Sequence, residues 1–227
     1  MFKPVTIREG HDNFFTPLRF LFAFLVLIGH AFVVTKGSSD AEPQIFFQFT
    51  YSYLAVNMFF IASGFLVTAS MLYRKDIGNF ASARILRIFP GLLAHVLILM
   101  FVFGPLTTAL PLWQYLTDPQ TLLQPFMVLS FAKTEMYLPG ILPDNHEHMA
   151  SAALWTLRYE VLAYVGTVGL FMFGLLKHRW MLLAQFVGFA IALPAALALG
   201  VFDNLPGTLQ SMLRFGVCYG LGAAIYG

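Results

Sequence analysis

Apolar residues run along this chain in blocks of near-spanning length separated by short polar stretches, not in the strict alternation of a half-buried sheet. The blocks fall at about Phe15 to Val34, Tyr51 to Tyr73, Gly91 to Leu110, Ala153 to Leu176, Trp180 to Val201 and Leu209 to Gly227. A bilayer core roughly 30 Å thick takes about 20 helical residues, so each block predicts one crossing. Ahead of the third, Asn79 predicts the cap of a short amphipathic cytoplasmic helix running through Arg84 and Arg87 to Pro90. Gln124 to Phe131 is too short to cross. With Pro111, Pro119 and Pro125 around it, it predicts an interfacial or re-entrant segment. The expected fold class is an all-α integral membrane protein of about six transmembrane helices, forming a single domain over residues 1–227.

Composition agrees with that solvent. The chain is 59% hydrophobic and 11% charged, with mean hydropathy +0.75, whereas a soluble domain is about 25% charged. A net charge of +2 offers no patch for nucleic acid. Cys218 is the single cysteine and lies in an apolar run, which excludes a disulfide framework and a thiolate metal site. His146-Glu147-His148 lacks a fourth ligand, so no metal is expected there. The polar start (Lys3, Arg8, Glu9, His11, Asp12) is followed by no small-residue cleavage site, which makes the first apolar run a retained span.

Basic residues in short loops set the orientation. Arg74, Lys75, Arg84 and Arg87 lie between the second and third blocks, and Lys177 and Arg179 between the fourth and fifth; the alternate loops offer mainly Lys36 and Lys133. The N-terminus is therefore expected in the cytoplasm, and the segment from Pro111 to Ala152 outside.

Ionisable groups inside spans cost a few kcal/mol or more in hydrocarbon, which makes them functional candidates by default. Four stand out: Arg19, His30, Glu160 and Arg214. Arg19 and His30 are eleven residues apart, three turns plus roughly 20°, so they share one face about 16 Å apart along the axis. Taken alone, His30 fits a hydrogen-bonded packing residue as well as a base, and Arg19 fits a cytoplasmic anchor. Glu160 falls near the depth of His30, where a carboxylate would orient the ring and raise its basicity. Ser63 and Gly64 admit a close helix or a ligand equally well. Arg84 and Arg87 suit phosphate oxygens, or act only as topogenic charge. Trp155 alone reads as an interfacial belt residue.

Taken together these residues closely resemble the membrane acyltransferase-3 family, whose members O-acylate extracytoplasmic glycans. The resemblance rests on Arg19 with His30, Phe59 to Leu66 (Phe-Phe-Ile-Ala-Ser-Gly-Phe-Leu), Arg84 to Pro90 (Arg-Ile-Leu-Arg-Ile-Phe-Pro) and Trp155 to Glu160, four motifs in the family's order. Leu138-Pro139-Gly140 and Asn145 ahead of Trp155 strengthen the likeness to members acting on exopolysaccharide or lipid-linked sugars. Family members usually carry several further helices, so late helices are expected to be missing here.

The resemblance implies transfer of an acyl group, typically acetyl, from cytoplasmic acyl-CoA to a saccharide hydroxyl outside the bacterial inner membrane. The implied site has His30 and Glu160 as catalytic groups. Arg19, Arg84, Arg87, Ser63, Asn57 and Trp155 would contact substrate. His30 would act either as general base or as covalent acyl carrier. Acyl-CoA is then a donor substrate, with no permanently bound cofactor. The partners are this donor, the saccharide and the bilayer, and a homo-oligomer is compatible with the sequence. The rival reading is a transporter or flippase with Arg19, His30 and Glu160 along a polar pathway.

Overall fold

The computed structural model describes residues 15–38, 41–46, 49–144, 148–151 and 153–227. The polar start from Lys3 to Asp12, Asn145, and His146 with Glu147 of the His-Glu-His triplet lie outside these residues. The chain forms α1 (Phe15–Lys36), a small antiparallel hairpin of β1 (Gln44–Phe46) and β2 (Phe49–Thr50), α2 (Tyr51–Arg74) and α3 (Ile77–Thr107). There follow α4 (Leu112–Thr117), α5 (Pro119–Leu129), α6 (Leu157–Met172), α7 (Arg179–Ala198) and α8 (Gly207–Tyr226). A 3-10 turn at Ala153–Thr156 leads into α6.

Among the described residues, four helices are long and apolar enough to cross a bilayer: α1, α2, α3 and α7. Of the other two expected spans, α6 has 16 residues, and α8 has 20 but carries Thr208, Gln210, Ser211 and Arg214. Large apolar side chains stand exposed on the long helices, among them Phe20 and Leu27 on α1 and Trp180, Ile191 and Leu197 on α7. In water such surfaces would associate; in hydrocarbon they meet lipid tails. The chain is an integral membrane protein built almost wholly of helix.

Three local expectations change. The amphipathic helix from Asn79 to Pro90 is not separate, because α3 runs unbroken from Ile77 through Pro90 into the membrane-length segment. A proline forfeits one backbone hydrogen bond, a loss that membrane helices tolerate. The interfacial piece expected from Gln124 is the longer α5, which begins at Pro119; Asp118 caps it, its Oδ1 accepting from Gln120 N at 2.7 Å. The hairpin is an addition, since polar and apolar residues alternate there over too few positions to stand out.

The chain divides into two compact units. The first gathers the described parts of Met1–Ala31, Glu42–Ile77 and Tyr159–Gly227, and the second Phe32–Ala41 and Gly78–Arg158. In the first, α2 and α8 approach through glycine. A Cβ on Gly64 would overlap the Tyr219 carbonyl oxygen, and one on Gly222 would overlap that of Ile61. Phe60 and Phe215 stack between these helices with ring centroids 4.0 Å apart. Gly216 and Gly220 of α8 receive Phe189 and Phe186 of α7.

The second unit packs α3, α4 and α5 around Leu92, Val96, Tyr115, Val128 and Met136. Leu99–Phe103 form a π-turn in which Gly104 N bonds Leu99 O, which frees Met100 O to accept from the Tyr115 hydroxyl at 2.8 Å. Burial raises the Tyr115 pKa above the usual phenol value, which keeps that donor protonated. The Leu138-Pro139-Gly140 turn is stapled to the end of α3. Thr108 Oγ1 donates to Pro139 O at 2.8 Å, Ala109 N to Gly140 O at 2.9 Å and Leu142 N to Thr107 O at 3.1 Å. Gly140 has φ +66°, a conformation that favours glycine.

Candidate functional site

The first unit holds Arg19, His30, Asn57, Ser63 and Glu160; the second holds Arg84, Arg87 and Trp155. Arg19 and His30 lie on one continuous helix, in a partly or fully buried stripe with Phe15, Phe22, Val26 and Gly29, while Leu18, Phe20, Leu21, Phe24 and Leu27 are exposed. The stripe meets α2 through long side chains. Phe15 stacks on Phe65 with centroids 5.3 Å apart, and Phe22 meets Phe59 edge-on at 5.5 Å.

His30 Nδ1 lies 2.9 Å from Val26 O, one turn earlier. A carbonyl can only accept, so Nδ1 carries a proton, and in the neutral ring Nε2 is then the basic nitrogen. The backbone of α1 thus sets the tautomer, a task expected of Glu160. Glu160 is engaged elsewhere: its Oε1 accepts from the Tyr164 hydroxyl in a short hydrogen bond one turn along α6. Among the described residues no hydrogen bond joins His30 to Glu160.

On α2, Ser63 is buried at 5% exposure, and its neighbour Gly64 serves the contact with α8. Asn57 Oδ1 is buried with no hydrogen-bond partner among the described residues. A buried carboxamide left this way loses free energy until a donor meets it. Arg84 is partly buried, its guanidinium 5.5 Å from the Phe80 ring centre, and Arg87 is exposed three residues on. Trp155 is partly buried in the 3-10 turn. His148 Nδ1 donates to Leu142 O at 3.0 Å.

Several groups were not singled out by sequence pattern. Glu42 is 6% exposed and takes two hydrogen bonds from Ser52. Glu135 pairs with Arg158 at 3.1 Å in the second unit. Tyr53 supplies one ring beneath the guanidinium of Arg214 and Phe215 another, each centred 4.4 Å away. In the first unit a cavity of about 330 Å³ is lined by Tyr159, Thr167, Gln185, Phe189, Phe215 and Tyr219 among others. The i, i+4 spacing of Glu160 and Tyr164 and the adjacency of Arg214 and Phe215 were readable in the sequence; the other pairings join separate segments.

The family profile described as an acyltransferase domain matches residues 13–226. Over 91 residues, 40% of this chain, the sequence is 33% identical to nodulation protein 10 of Rhizobium leguminosarum bv. viciae, covering 25% of that protein. Over 93 residues, 41% of this chain, it is 31% identical to an O-acetyl transferase of Shigella phage Sf6, covering 27% of that protein. The chain therefore aligns with about a quarter of the length of each of these relatives. No solved structure matches it.

Proposed function

Because the chain belongs to the acyltransferase-3 family, we propose that it transfers an acyl group from cytoplasmic acyl-CoA to a hydroxyl of an extracytoplasmic saccharide. The observation that carries this reading is the state of His30, whose Nδ1 is bound to Val26 O so that Nε2 is left as a base on a part-buried helix face. The name of the phage relative supports acetyl as the group.

In the reaction, Nε2 of His30 takes the proton from the acceptor hydroxyl as its oxygen attacks the thioester carbonyl. A C–O bond forms and the C–S bond breaks. The departing CoA sulfur recovers the proton from the imidazolium. Glu160 Oε1 is held by Tyr164, and the second carboxylate oxygen accepts another sugar hydroxyl, which orients the acceptor. Asn57 Oδ1 accepts a donor from substrate, such as an amide N–H of the pantetheine arm, and Ser63 lines the thioester region. Arg84 and Arg87 take donor phosphates, with Arg19 at the cytoplasmic end of α1; Trp155 contacts the acceptor. Six crossings with the N-terminus in the cytoplasm of a bacterial inner membrane complete the proposal.

Transfer from labelled acetyl-CoA in membranes carrying the full-length protein tests it. His30→Ala should lose about 10²-fold or more at matched abundance, the range of a general base. Arg84→Ala with Arg87→Ala should raise KM for acetyl-CoA and leave kcat near wild type. Undiminished transfer by His30→Ala would overturn the mechanism.

A further inference from the structure

Between α1 and α2 lies a carboxylate that the proposed chemistry leaves unused. Glu42 is 6% exposed although it sits in a loop. Its Oε1 accepts from Ser52 N and its Oε2 from Ser52 Oγ, both at 2.6 Å. Such short bonds to an ionised acceptor are roughly twice as strong as neutral ones. Ser52 is the second residue of α2, just after the cap Thr50, so the anion also meets the positive end of that helix. The other side of the carboxylate rests on Gly29 of α1. A Cβ there would overlap Glu42 Oε1 and stand 2.9 Å from Ser52 Cβ, so residue 29 leaves a notch that the carboxylate fills. The next residue is His30.

We propose that Glu42 is a positioning residue for His30, locking the turn of α1 that carries the imidazole to the start of α2. This rests on His30 acting as the base. The anchoring matters because the same α2 carries Asn57 and Ser63, so base and substrate contacts keep one register. Gly29, Glu42 and Ser52 then form one device: a gap, a charge that fills it and a tether that orients the charge.

The test compares Glu42→Gln with wild type in membranes, using labelled acetyl-CoA and separate kcat and KM. Glutamine keeps the length and can still accept from Ser52 N, but it carries no charge. The expected result is a fall in kcat of about tenfold, as the weaker tether lets the turn that carries His30 drift from its working position, with KM for acetyl-CoA and protein abundance unchanged. Ser52→Ala, which keeps the charge and removes one tether, should fall between the two. If Glu42→Ala fails to accumulate, Glu42→Gln still decides. Wild-type kcat in Glu42→Gln, beside an inactive His30→Ala, would overturn the positioning role alone and leave the base intact. Full activity in His30→Ala would remove both.

Discussion

Tyr164 donates its phenolic hydrogen to Glu160 one turn away on α6, so a carboxylate near the start of that helix is pinned by its own element. The pin occupies one of the two carboxylate oxygens. Tyr164→Phe should therefore lower acyl transfer without lowering abundance, since a hydrogen bond to a charged group contributes about 1.5–3 kcal/mol. Glu160→Gln keeps the shape and should weaken use of the saccharide more than use of the donor. Separate KM values for the two substrates in membranes check both, and equal loss for donor and acceptor would argue against a role toward the sugar.

Gly64→Ala and Gly222→Ala should each destabilise the α2–α8 pair by about 1–3 kcal/mol or more, the usual range for overpacking, because the atoms in the way are backbone carbonyls that cannot swing aside. Thermal unfolding in detergent is the measurement. Gly166→Ala, at a position with nothing within 4 Å, is the control and should leave the midpoint near wild type. Were Gly64→Ala as stable as the control, the close helix contact would be wrong.

Tyr115→Phe should cost about 1–3 kcal/mol, because it strands the buried Met100 carbonyl that the π-turn released. Glu135→Ala breaks an ion pair whose side chains are each 25% exposed, and should cost less than about 1 kcal/mol. Unfolding midpoints of the two variants, compared in one detergent, test the order. The reverse order would mean that the ion pair, and not the phenol, holds this unit.

Much of the architecture is legible in the amino-acid sequence, for a reason particular to lipid. Spans must satisfy their own backbone, so block length and composition alone locate α1, α2 and α7 within a few residues. Proline misleads at two places. Pro90 reads as a boundary but sits inside α3, and Pro119 marks where α5 begins rather than where helix is excluded. Arg19 and His30 share a face by arithmetic, since one regular helix carries both.

Periodicity reports only which residues of one element share a side, and the chemistry here depends on which residues of different elements meet. The sequence by itself determined the solvent, the long helices, the family motifs and the common stripe of Arg19 and His30. The tertiary structure alone decided that Gly64 is used by α8 and that Glu42 fills the gap at Gly29. A contact between distant segments is set by how backbones approach, and that approach is a property of the packed whole that no local spacing carries.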